Sequence, residues 1–453
     1  MRDAITRIIL WLYSLVFRRE PGSFARAFIK NIIYVSIGLV VAKAFSLIFQ
    51  VYAGRVIGIT EYGKYTLISS LSNILYVPMM IGLGTAFVKY LSEQEDAGDK
   101  KRIMSTALIM MLPSILIFSV AFYAFSGPIS AIFSVKPSYV QAGVLLAAFY
   151  SMSTVSQKTL QGLNEMKKLS TLNIITSISW VAVLLLLAQE SPVASSVIIA
   201  LMAGYLAGFS YSLVKIRGLL APVFDRKWAK IMLSYASINI IATFAVSVGD
   251  NISKIFINMY LTMADIGLYQ AYSFSTVGLA GFFSAVVVTV FFPASSRSKN
   301  KAEMFRKIAK MLKFIPVLFM VTMAGSCVVM MLYGSEYAFS VAMAAVFTLY
   351  AVLVFIYYMY DWFAASCGMP GIKIVMISTI VVSALSVVLS YVLTGIYGVF
   401  GAAASSVFSF LIGTIFIYFM TARMLARKPF HDGARKIYIT RMTGNTNKCM
   451  VNK

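Results

Sequence analysis

Most of the chain's ionisable residues lie outside its long apolar runs, so the few within them are where chemistry would sit. Placing an ionised side chain in hydrocarbon is costly, so such residues usually face a cavity or a partner. Lys43 stands in "GLVVAKAFSLIF", residues 38–49, with no acid within a helical turn. An unpaired lysine there suits an anionic ligand; the alternatives are an acid on another helix or snorkelling to the interface. Asp250 and Lys254 are four apart, on one helical face, where they either neutralise each other or open for a ligand. Asp361, in "YMYDWF", could contact a cation, a sugar or the neighbouring Tyr357 and Tyr358. Arg55 lies at the end of its run, where an interfacial anchor or a headgroup contact is expected. Gln157 and Lys158 end another run, where Lys158 is read as snorkelling.

The elements around these residues follow from composition. Hydrophobic residues make up 60% of the 453 and charged ones 12%, with mean hydropathy +0.84. Soluble domains carry about 25% charged residues. Twelve runs of about 20 apolar residues, from 31–54 to 397–423, each suffice to cross a bilayer as a helix. With the N-terminus inside, only Arg55, Lys64 and Lys136 of the 39 Lys and Arg fall outside, and Lys43 and Lys254 within spans. All the others lie on the cytoplasmic side, as the positive-inside rule demands. The net charge of +23 is therefore topology and attraction to anionic headgroups, and nothing else supports nucleic-acid binding. The one histidine, His431, and Cys327, Cys367 and Cys449 form no metal spacing or disulfide framework.

Both ends are of a different kind. Residues 1–27 contain "ITRIILWLYSLVFRR", read as an interfacial amphipathic helix or one packed on the protein's own cytoplasmic side, followed by a linker. Residues 426–453 are basic and polar without apolar period, and are expected to form a disordered cytoplasmic tail.

An internal repeat organises the rest. "ITEYGKY", 59–65, is echoed by "MADIGLY", 263–269, which places Glu61, Gly63 and Tyr65 on Asp265, Gly267 and Tyr269 at an offset of 204. Thr85 and Phe87 fall on Thr289 and Phe291 at the same offset. Two six-span lobes, 28–217 and 218–425, are then parallel repeats about an axis along the membrane normal. Acid-x-Gly-x-Tyr is expected to form the outside turn of each, glycine supplying the backbone angles and tyrosine the interfacial anchor. Pro78, Pro113, Pro293 and Pro316 are expected to kink spans.

The spacing R-x-x-G-x-x-x-Y-G-x-Y (Arg55, Gly58, Tyr62, Gly63, Tyr65), "GLGTAFVKYLSE" at 82–93 and "QGLNEMKK" at 161–168 resemble the Wzx-type polysaccharide-biosynthesis flippases. These belong to the multidrug/oligosaccharidyl-lipid/polysaccharide exporter superfamily. The resemblance covers about residues 28–425. It implies an all-α, V-shaped fold of two six-helix lobes in a prokaryotic cell membrane. It also implies movement of polyprenyl-diphosphate-linked oligosaccharide from the cytoplasmic to the outer leaflet by alternating access. Lys43, Lys254 and Arg55 would then meet the diphosphate, and Asp250 and Asp361 a cation or sugar. No cofactor is implied beyond a coupling Na+ or H+, and a monomer suffices. A cation-coupled drug exporter is the alternative, but it would want acids in the first lobe, where spans 1–6 hold none at mid-membrane. A membrane glycosyltransferase is rejected, because the loops are too short to hold an active site.

Overall fold

In a computed structural model, described for residues 23–281, 284 and 300–427, the chain is helical almost throughout. The side chains of residues 23–37, 39, 238, 307, 311 and 427 are not described. The first half contains α1 (Ser23–Met79), α2 (Leu83–Glu93), α3 (Ala97–Ala124), α4 (Ser126–Phe133), α5 (Pro137–Gly162), α6 (Met166–Glu190) and α7 (Ala194–Ile216). A linker leads to α8 (Arg226–Tyr260) and α9 (Met263–Ser273), which runs on into a π-helical turn at Phe274–Gly278. Then follow α10 (Lys301–Met311), α11 (Ile315–Tyr333), α12 (Val341–Ala365) and α13 (Met369–Arg427). Residues 1–22, which hold the amphipathic stretch of the N-terminal segment read as 1–27, Pro293, the repeat partners Thr289 and Phe291, and residues 428–453 of the tail read as 426–453 lie outside the described residues. Pro78 closes α1 and Pro113 lies inside α3, whereas Pro316 sits in the first turn of α11, where its missing N–H has no cost.

Eight helices among the described residues are long and apolar enough to span a membrane, nine if the bent pair α4–α5 is one span. This is a multi-pass membrane protein. Two of its helices are more than one span. α1 has 57 residues and α13 has 59, far beyond the need of a single crossing. Each breaks at a glycine with positive φ: Gly58 at φ 79, ψ 162 and Gly398 at φ 60, ψ −139. Side-chain residues avoid both regions. At both places the chain folds back on itself. The Ser390 and Ser405 hydroxyls are 2.7 Å apart, although 15 residues of straight helix would separate them by about 22 Å. Across Gly58, Gln50 donates to Tyr65 Oη at 3.1 Å and accepts from Tyr62 Oη at 2.8 Å. α1 and α13 are thus helical hairpins, each supplying two of the expected spans.

The repeat is visible as a contact. A Cβ on Gly63 would stand 1.8 Å from the Met263 carbonyl oxygen, and a Cβ on Gly267 would stand 2.2 Å from that of Ile59. Shifting the first contact by 204 residues produces the second, so the two repeats touch reciprocally, as pseudo-two-fold symmetry requires. This corrects the expected role of the acid-x-Gly-x-Tyr motif. Gly63 and Gly267 are helical and serve close backbone approach, while the turn angle belongs to Gly58. Tyr65 and Tyr269 are buried in the core rather than at an interface.

Candidate functional site

α8 carries polar residues at 239, 243, 250 and 254, spacings of 4, 7 and 4 that align them on one face. α12 and the first arm of α13 face this stripe and enclose with it a cavity of about 460 Å³. Asn239, Thr243 and Asp250 line it from α8, Tyr358 and Asp361 from α12, and Thr379 from α13. The structure therefore brings together two of the six ionisable residues singled out from sequence, Asp250 and Asp361. Asp361 is half-buried and its Oδ1 has no hydrogen-bond partner. The expected local bond to a tyrosine is not made at that oxygen, and the Tyr357 hydroxyl instead lies 3.4 Å from Thr379 Oγ1. Tyr358 lies on the same lining as both carboxylates.

The cations are placed elsewhere. Lys254 lies one turn beyond Asp250, half-buried and off the cavity lining, and makes no ion pair with it. Lys43 lies on the first arm of α1, exposed, with no hydrogen bond or ion pair to any described residue. Arg55 is exposed beside the Gly58 corner and likewise unpaired. Lys158 is half-buried, and its aliphatic stem lies where a Cβ on Gly84 would meet it at 3.7 Å. A second cavity, about 470 Å³ between α3, α5 and α7, is lined by apolar side chains and hydroxyls without a charge.

Asn239 was missed by the sequence reading. It lines the cavity and also reaches the first half, donating to Thr85 Oγ1 of α2 at 2.7 Å. The 239/243/250/254 stripe was the signal available, because polar residues at helical spacing within an apolar run mark a face turned away from lipid.

An all-helical membrane protein with two halves in reciprocal contact and charges within its spans has the architecture of a two-lobed transporter. Solved structures place the fold. An inward-facing multidrug resistance MATE family transporter of the MOP superfamily superposes with a TM-score of 0.67 at 12% identity, covering 88% of this chain and 98% of the other. The lipid II flippase MurJ in an inward closed conformation does so with 0.66 at 16%, covering 92% and 94%. Residues 28–299 match the polysaccharide biosynthesis protein family, and the chain belongs to that family. It is also 23% identical over 397 residues to the "Probable low-salt glycan biosynthesis flippase Agl15" of Haloferax volcanii, covering 84% of this chain and 81% of that one.

Proposed function

We propose that this protein is a flippase for polyprenyl-diphosphate-linked oligosaccharide. It carries the lipid from the cytoplasmic to the outer leaflet of a prokaryotic cell membrane, with both termini cytoplasmic and without catalysing a bond change. The observation that carries this reading is the likeness to a glycan biosynthesis flippase across 84% of the chain. Lys43 supports it. An exposed, unpaired ammonium within an apolar helix is suited to the charge of a diphosphate. Arg55, at the far end of the same helical arm, offers a second cation on the exit side, and Lys254 a third in the other half. Lobes 28–217 and 218–425 would rock about their common contact, and one chain contains both.

A second reading is favoured by one specific observation, the shared cavity of Asp250 and Asp361. Two carboxylates in one pocket suit a coupling cation, Na+ or H+, as a cation-coupled drug exporter needs. This pocket lies in the second half, however, and not in the first, where such an exporter would want its acids. The readings separate in proteoliposomes loaded with a fluorescent polyprenyl-diphosphate oligosaccharide. Flipping that needs the protein and falls at least tenfold in Lys43→Ala is the expected result. Flipping that survives the substitution keeps the function and removes Lys43 from the path. Export of cationic dyes without any lipid flipping would overturn the flippase reading.

A further inference from the structure

The Gly58 and Thr262 corners are on the same end of the molecule, outward in the topology proposed above, and the halves are bonded to each other there. Two sets of contacts close this end, related by the 204-residue offset. In one, the Tyr337 hydroxyl donates to the Gly54 carbonyl at 2.9 Å; in the other, Asn258 Nδ2 donates to the Ser134 carbonyl at 2.8 Å. Gly54 and Asn258 are equivalent positions in the two repeats, and Tyr337 and Ser134 miss equivalence by one residue. The first set is much the larger. The Tyr333 ring lies where a Cβ on Gly54 would come within 2.5 Å of it, and its hydroxyl meets that of Tyr62 at 3.1 Å. Glu336, in the loop between α11 and α12, accepts the N–H of Ile59 at 3.0 Å.

That last bond has a particular consequence. Ile59 is the first residue after the Gly58 break, so its N–H belongs to a helix start and has no acceptor within its own helix. A carboxylate is the favoured partner at such a place, through both the hydrogen bond and the helix dipole. Here the carboxylate comes from the other half of the molecule. The equivalent corner at Thr262 needs no such help, because Thr262 and Asp265 cap it reciprocally.

We propose that Glu336 and Tyr337 are positioning residues for translocation, and that Glu336 is a helix cap supplied across the lobe interface that holds this end closed. Resting on the alternating-access reading, opening toward the outer leaflet strips Ile59 of its acceptor and uncovers the Tyr62–Tyr333 contact. Closing restores both. The closed-to-open ratio is then set in part by one exposed carboxylate, while the second corner is indifferent to the position of the lobes.

The test is the distance between spin labels at Glu190→Cys and Tyr397→Cys, exposed positions near this end in the two halves, measured in the full chain with native cysteines replaced. Glu336→Ala is expected to lower the closed-to-open ratio about tenfold, the worth of a charge-assisted hydrogen bond. Glu336→Gln, which keeps a neutral acceptor of the same length, should restore part of it, and Tyr337→Phe should give a smaller shift of the same sign. A distribution unchanged in both Glu336→Ala and Tyr337→Phe would overturn the proposal, as would a Glu336→Ala protein that loses thermal stability with its distances unmoved. These distances are read without substrate. Absence of lipid flipping by the unsubstituted protein, with the shift intact, would therefore count against the flippase reading alone.

Discussion

Gly58 and Thr262 stand 204 residues apart at the same corner of the two repeats, and they turn the chain by different means. The second corner is local. The Thr262 N–H and hydroxyl both donate to Asp265 Oδ2, at 3.0 and 2.6 Å, and the capping box is closed within a four-residue segment. The first corner has no capping side chain of its own. Glycine supplies the angles, and the first free N–H goes to Glu336, 277 residues away. Glu61, which occupies the place of Asp265, is turned to other partners, Lys64 and the Ala194 N–H at 3.0 Å. The comparison teaches that a repeat can keep its topology while one copy becomes conditional on tertiary contact and the other does not.

The shared contact between the repeats should give the largest effect. Gly63→Ala and Gly267→Ala each drive a methyl into a backbone carbonyl, at 1.8 and 2.2 Å, and each should destabilise by about 3 kcal/mol or more, the upper end of overpacking, in thermal unfolding in detergent. Because both push apart one contact, the double variant should cost clearly less than the sum. A neutral Gly63→Ala beside a damaging Gly267→Ala would break the reciprocity.

Gly58→Ala comes next. Its backbone angles are open to glycine alone, and the cost should be about 1–3 kcal/mol. Thr262→Ala, at the equivalent position, should cost only about 1 kcal/mol, the usual worth of an N-cap. Equal losses at the two corners would mean that they are not built differently.

Asn258→Ala removes one amide bond of the smaller closing set and should cost about 0.5–1.5 kcal/mol. Its effect on the spin-label distances should be smaller than that of Glu336→Ala. A larger one would move the weight of closure to the Asn258 side.

Much of this architecture was legible beforehand. The apolar runs, the 204-residue offset and the polar spacing on α8 are properties of local order, and each appears as a helix, a symmetric contact or one wall of a cavity. The glycine of the motif was misread. "YGKY" looks like a turn because glycine is common in turns, yet Gly63 is conserved in form between the repeats by a neighbouring backbone that no local pattern reports. The pairing of Asp250 with Asp361 was also invisible. They lie 111 residues apart on helices whose packing depends on the whole bundle.

Sequence by itself determined that this chain crosses a membrane many times as helices, and that it does so as two similar halves. Both conclusions rest on free energies that act residue by residue: apolar transfer, the need to satisfy every backbone group in lipid, and the sidedness of basic loops. Only the tertiary structure decided which charges share a cavity, which end of the molecule is bonded shut, and which of two equivalent corners borrows its cap. Those outcomes depend on groups far apart in the chain being brought together by packing, and a hydrogen bond forms only when donor and acceptor meet within about 3.5 Å.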